Sequence, residues 1–201
     1  MQAGAQTFDR CDKGVVVNTA GETKHVRLQV VDDNIIRVTA TPEDAFSTRP
    51  SLIVVPQKQK AQYAVEDGGS TVTVKAKNVS ATVDKTTGHV TFKDAQGNVW
   101  LDEHSKSFKP FTVPDREVGV GTLTDEQRNA WTWHLTFDSP QDEAFYGLGQ
   151  HQSEDMNYKN KNEELFQYNT KVSVPFVVSN KNYGLLWDSY SYCRWGNPED
   201  Y

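Results

Sequence analysis

The chain has 201 residues, enough for one sizeable domain with a core of its own. Its 27 acidic and 21 basic residues leave a net charge of −6, and no basic stripe interleaves with the aromatics, so nucleic acid and anionic membranes are poor partners for it. No apolar run approaches the ~18 residues of a membrane-spanning helix, and Cys11 and Cys193 match neither a disulfide scaffold nor zinc-site spacing; their pairing is left open.

The first residues, Met1 to Gln6, lack the charged start and apolar stretch of an export signal, and fit equally a start that replaced a signal already removed. From there the pattern has period two. Val26, Leu28 and Val30 alternate with Arg27 and Gln29, and Ile36 and Val38 continue the theme. Val72, Val74 and Ala76, then Val79, Ala81 and Val83, repeat it, as do Trp131, Trp133, Leu135 and Phe137. One apolar and one wet face is the signature of antiparallel strands.

The breaks between these runs are turn chemistry: Asp67-Gly68-Gly69-Ser70, Thr86-Thr87-Gly88 and Ala95-Gln96-Gly97-Asn98. The spacing predicts about 14 to 17 short strands. Short helical pieces are expected only at Glu43 to Ser47 and Asp125 to Ala130. Lys106 to Gly121, with Pro110 and Pro114, reads as a mixed edge strand and loop. The fold class is all-β, a large sandwich occupying residues 1–201 as a single domain.

Towards the C-terminus, residues 150–162 form a polar loop of a length uncommon between strands unless it has a task. Ten of the 22 aromatics lie in the last 50 residues, which makes that quarter densely packed or a binding face. Phe176, Leu186 and Trp187 are expected in the core; Tyr190, Tyr192, Trp195 and Tyr201 are expected exposed. The closing string Gly196-Asn197-Pro198-Glu199-Asp200-Tyr201 resembles a cut through a longer chain.

Candidate chemistry is sparse. Glycosidic cleavage needs two carboxylates; the candidates are Glu154-Asp155, Glu163-Glu164, Asp188 and Glu199-Asp200, and adjacent acids on a strand face opposite ways. His151 with Glu154 and Asp155 makes at most half a metal site, and no metal or cofactor is expected. No serine elbow is present, and Gly147-Leu148-Gly149 lacks the third glycine of a dinucleotide loop. Sugars are held by flat aromatics against their C–H faces and by amides or carboxylates against their hydroxyls. Gln150, Gln152, Glu154, Asn157 and Asn160 beside Tyr158 fit that description; an ordinary solvated loop anchored by Tyr158 fits it equally.

Phe145-Tyr146-Gly147-Leu148-Gly149-Gln150-His151, with Glu164-Leu165-Phe166-Gln167-Tyr168-Asn169, Val174-Pro175-Phe176-Val177-Val178-Ser179 and Tyr183-Gly184-Leu185-Leu186-Trp187-Asp188, resembles glycoside hydrolase family 31. The Gly-Gln-His-Gln form and the Leu-Leu-Trp-Asp-Ser-Tyr ending are most similar to its α-xylosidase branch, of the Bacteroidetes type. The resemblance implies a galactose-mutarotase-like β-supersandwich ahead of a (β/α)8 barrel, with both catalytic aspartates on the barrel and no catalytic residue here. It implies that a loop carrying Gln150, His151, Gln152, Glu154, Asn157 and Tyr158 helps wall the barrel's substrate pocket. The implied partners are that barrel and a xyloglucan-type oligosaccharide, and the implied location is the periplasm or the cell exterior. The Tyr-Gly-Leu-Gly glycines read as a β-bulge or a close backbone approach. Two alternatives stand beside this: a free-standing carbohydrate-binding module, and an aldose-epimerase-like enzyme using His134 or His151 with Glu164.

Overall fold

The structure, a computed structural model, describes residues 8–55, 61–112 and 129–196. Their alternating pattern resolves into fifteen strands and no helix. In chain order these are β1 (Phe8–Cys11), β2 (Gly14–Asn18), β3 (His25–Asp32), β4 (Ile35–Thr41), β5 (Ala64–Asp67), β6 (Thr71–Lys75), β7 (Val79–Asp84) and β8 (Val90–Asp94). They continue with β9 (Val99–Thr112), β10 (Asn129–Asp138), β11 (Phe145–Gln150), β12 (Glu163–Leu165), β13 (Val172–Ser179), β14 (Tyr183–Leu186) and β15 (Cys193–Trp195). The chain divides into two compact units, one carrying β1–β10 and the other β11–β15 with residues 49–55.

In the first unit, a four-stranded sheet β1-β2-β3-β4 accompanies a six-stranded sheet β10-β9-β8-β7-β6-β5, every pair antiparallel. Val15, Val17, Val26 and Leu28 from one sheet and Val72, Val74, Ala81, Val83 and Val90 from the other form one water-free cluster. Each of the valines and Leu28 contributes roughly 1.5–3 kcal/mol by leaving water. The intervening polar residues face outward, as the period-two pattern requires.

The turns combine a positive-φ glycine with an aspartate that holds backbone N–H groups. Gly69, Gly88 and Gly97 take the left-handed positions. Asp67 accepts from the Gly69 N–H (3.0 Å), Asp84 from Thr86 and Thr87 (2.8 Å each), and Asp94 from Gln96 and Asn98 (2.9 and 2.8 Å). All three carboxyls are held below the usual aspartate range: Asp67 first by Lys85 and then by the Gly69 N–H, Asp84 first by the Thr87 N–H, and Asp94 first by the Asn98 side-chain amide and then by the backbone N–H groups. Inside the same unit a buried Glu103–Lys106 pair (2.8 Å) ties β8 to β9: Glu103 accepts from the Val90 N–H, and Lys106 donates to the Gly88 carbonyl. Burial pushes the Glu103 carboxyl up against the downward pull of Lys106.

Some expectations are corrected here. Glu43 to Ser47 forms no helix: residues 43–45 are bends and Phe46 and Ser47 are irregular. Five residues cannot offset helix nucleation, and their side chains are engaged elsewhere: Asp44 with Lys24, the Glu43 carboxylate with the Trp131 indole N–H, and Phe46 under Arg27. Of Asp125 to Ala130, residues 125–128 lie outside the described residues, while Asn129 and Ala130 open β10 instead of a helix. Residues 106–112 extend β9, pairing there with β10 alone, so the edge reading holds and Pro110 breaks no second ladder; 113–121 lie outside the described residues. Trp131 and Trp133 carry the expected apolar alternation yet remain exposed, because this hairpin runs past the end of β8. Both cysteines are free thiols.

In the second unit, β11-β13-β14 form a three-stranded antiparallel sheet, and β12 pairs with β15. The expected core placement of Phe176 and Leu186 is overturned: on β13 the inward positions are Val177 and Ser179, and alternation turns Phe176, with Leu186 opposite it on β14, to the outside. Trp187 is half-buried. Tyr190 and Tyr192 are exposed as expected, but Trp195 is half-buried, its indole N–H bonded to the Tyr158 carbonyl (3.1 Å) and its ring edge-on to Phe145. Tyr201 lies outside the described residues.

Candidate functional site

The polar loop is set by a distortion in β11. Pairing of β11 with β13 shifts register between Gly147 and Gly149, where φ is +132° and +102°. A Cβ on Gly147 would sit 2.4 Å from the Phe176 carbonyl oxygen, and one on Gly149 2.0 Å from that of Val172, so only glycine permits this pairing. Between them Leu148 adopts φ +65° and turns fully inward. The bulge and the close backbone approach are therefore both present.

The bulge turns His151 back on the strand. Its Nε2–H donates to the Leu148 carbonyl (2.7 Å), and Nδ1 lies 3.2 Å from Glu163 Oε1, out of line for a hydrogen bond. The same Glu163 oxygen accepts from Lys171 Nζ, which also lies over the Phe166 ring. His151 and Lys171 are almost wholly withdrawn from water, so a buried imidazole, carboxylate and ammonium clamp the start of the loop onto β12.

The rest of the loop is pinned through Asn157 and Tyr158. Asn157 Oδ1 accepts from the Phe145 and Lys159 N–H groups (3.0 and 2.9 Å), the Tyr158 N–H donates to the Phe145 carbonyl (2.8 Å), and its buried ring meets His151 edge-on. Lys159 donates to the Pro140 carbonyl (2.9 Å), and Lys161 pairs with Asp155. The six predicted site residues therefore split. His151 and Tyr158 face inward, Asn157 is exposed but spends its Oδ1 on two backbone N–H groups, and the three hold the loop; the Tyr158 ring is too buried to stack on a sugar. Gln150, Gln152 and Glu154 remain exposed, presenting two amides and a carboxylate to solvent.

The paired acids behave as strand geometry dictates. Glu163 turns inward to His151 and Lys171, while Glu164 turns out and accepts from the Tyr192 hydroxyl (2.8 Å). His151 thus meets Glu163 and not the Glu164 that an epimerase-like pair would use. Asp188 holds the Ser51 and Tyr190 hydroxyls (3.0 and 2.8 Å). Glu199 and Asp200 lie outside the described residues. Among the described residues no three His, Cys, Asp or Glu side chains converge as a metal ion would need.

Two groupings escaped the sequence reading. Phe166 stacks on Tyr168 (5.1 Å between centroids) and tilts against Tyr192 (6.0 Å), giving three exposed rings beside Glu164. The aromatic density of the last 50 residues was the available signal. Glu143 is buried and accepts from the Ser139, Ser179 and Tyr183 hydroxyls (2.6, 2.5 and 2.7 Å). Burial, then Glu143, pushes the Tyr183 phenol far above its usual range. No local pattern marks Glu143, because its partners come from three segments.

Residues 25–195 match the family described as the N-terminal galactose mutarotase-like domain of glycosyl hydrolase 31. The chain belongs to that family. A crystal structure of a glycoside hydrolase family 31 α-xylosidase from Xanthomonas citri superposes with a TM-score of 0.81 and 40% identity over 94% of this chain. An α-xylosidase of Saccharolobus solfataricus is 27% identical over 83% of it, and an uncharacterised family 31 glucosidase of Pseudescherichia vulneris 28% identical over 84%. The matched regions are only 20%, 22% and 33% of those three proteins. The family 31 resemblance and the galactose-mutarotase-like all-β class are thus borne out.

Proposed function

We propose that this chain is the non-catalytic N-terminal β-sandwich domain of a retaining family 31 α-glycosidase, of the α-xylosidase or α-glucosidase type. In this reading its loop over residues 150–162 helps wall a substrate pocket on a catalytic barrel. The observation that carries the reading is the match of 94% of the chain to one fifth of the Xanthomonas citri α-xylosidase. The loop's construction supports it. The bulge and the His151–Glu163–Lys171 clamp hold the backbone still, so Gln150, Gln152 and Glu154 can meet sugar hydroxyls without first being ordered. The carboxylates Glu143, Asp155, Glu163, Glu164 and Asp188 each already hold a protein partner.

The test is turnover of 4-nitrophenyl α-xyloside and α-glucoside by this chain beside the full-length gene product. An inactive chain and an active parent are expected; hydrolysis by the chain alone overturns the reading. Fractionation of the native cells tests a second element of the proposal, that the parent works in the periplasm or outside the cell on xyloglucan-type oligosaccharides.

The exposed Phe166, Tyr168 and Tyr192 beside Glu164 favour one alternative, a carbohydrate-binding module acting alone. Calorimetric titration of xyloglucan oligosaccharides separates the two. Binding by the chain with no barrel encoded beside it establishes the module.

A further inference from the structure

The three-stranded sheet β11-β13-β14 has two apolar faces. The inner one carries Phe145, Val177 and Tyr183, all buried. The outer one carries Tyr146, Val172, Val174, Phe176, Val178 and Leu186, each between 39% and 47% exposed. Register makes these six one surface: Tyr146 stands opposite Val178, Leu186 opposite Phe176, and the Phe176 ring lies over Gly184. No charged side chain interrupts it on β13 or β14.

An antiparallel sheet with one face in water places polar residues on that face, and the outer positions of β13 hold none. Exposed contiguous apolar surface marks an interaction site. At one end of the face, Val172 is paired with Gln150, the first residue of the loop over 150–162. The partner that covers this face therefore lies beside that loop.

We propose that the outer face of β11-β13-β14 is where the catalytic domain of the longer polypeptide docks, with Val174, Phe176, Val178, Tyr146 and Leu186 at its centre and Gln150 at the margin nearest the substrate. This rests on the reading above that the domain belongs to a longer enzyme. The relatives have the chain for it: the matched region is 20% of one α-xylosidase and 22% of another. A neighbour tethered on the same polypeptide acts at roughly millimolar effective concentration, which a free second copy does not reach.

Hydroxyl-radical footprinting of the intact full-length gene product tests the proposal, each residue being compared with its own oxidation rate in the unfolded polypeptide. Phe176 and Leu186 are expected to oxidise about tenfold more slowly when folded, as interior-like packing at an interface core requires. Ile35 on β4, 49% exposed and of similar intrinsic reactivity to Leu186, serves as the open reference. Phe176 and Leu186 reacting as freely as Ile35 in an enzyme that hydrolyses α-xylosides overturns the docking face and leaves the family reading of function intact. Protection that vanishes on dilution, with sedimentation showing a dimer, assigns the face to a second copy and overturns it as well. A gene product whose intact mass leaves no room for a barrel defeats the functional reading itself.

Discussion

Strands β2, β3, β6 and β7 bury an apolar face in a dry cluster and turn their polar residues outward, whereas β13 turns Val177 inward between Ser179 and Pro175 and leaves an entirely apolar face outside. The alternation rule is the same in both; what differs is the residue set at the outward positions. In the first unit those positions hold polar side chains: Thr73 and Thr82 bond each other across the strands (2.9 Å), Gln29 donates to the Asp12 carbonyl, and Arg27 lies over the Phe46 ring. On β13 they hold three valines and a phenylalanine. The outward faces of β3, β6 and β7 thus carry polar side chains, and that of β11-β13-β14 is built to be covered.

Leu28→Ala probes the dry cluster and has the largest expected effect, about 2–5 kcal/mol lost in denaturant unfolding. Val178→Ala on the outer face stays within about 0.5 kcal/mol of the parent in this 201-residue chain. Equal losses at the two sites would break the contrast between the units.

Gly149→Ala places a Cβ against the Val172 carbonyl and is expected to cost about 2–3 kcal/mol, with faster amide exchange through residues 150–162. The second unit also has a distinct alkaline response. Tyr183 keeps its proton in the folded state well past the pH at which an unfolded tyrosine ionises. Above about pH 10 the unfolded chain therefore binds fewer protons, and stability falls as pH rises. Tyr183→Phe should flatten that slope while losing roughly 1–2 kcal/mol near neutrality, read from urea midpoints at several pH values.

A smaller effect than at Gly149 or Tyr183 belongs to a first-unit turn. Asp84 is depressed chiefly by the Thr87 N–H, so its contribution is present above the unfolded aspartate value and is lost as pH falls through its folded one. Asp84→Asn should cost less than about 1 kcal/mol at neutral pH and reduce the acid slope below about pH 4.

Much of the fold was legible because hairpins are local. Val26, Leu28 and Val30 announce a buried face by spacing alone, and Gly69, Gly88 and Gly97 fall at the turns that the glycines and aspartates mark. The loop was legible in position, and half legible in role. Polar composition located residues 150–162, but only the folded chain shows that His151, Asn157 and Tyr158 hold the loop while Gln150, Gln152 and Glu154 face out. A histidine, an asparagine and a tyrosine read the same whether they meet a ligand or a backbone.

The sequence by itself determined the all-β class, the hairpin turns, the glycine bulge in β11 and the family, since each depends on residues close in the chain. Tertiary structure alone decided that Glu143 would gather three hydroxyls, that Glu163 rather than Glu164 would meet His151, and that Phe176 would face outward. These outcomes depend on segments such as 139–143, β12 and β14, which strand pairing brings together. Hydrophobicity says that a side chain prefers to leave water, and only packing says which surface takes it in.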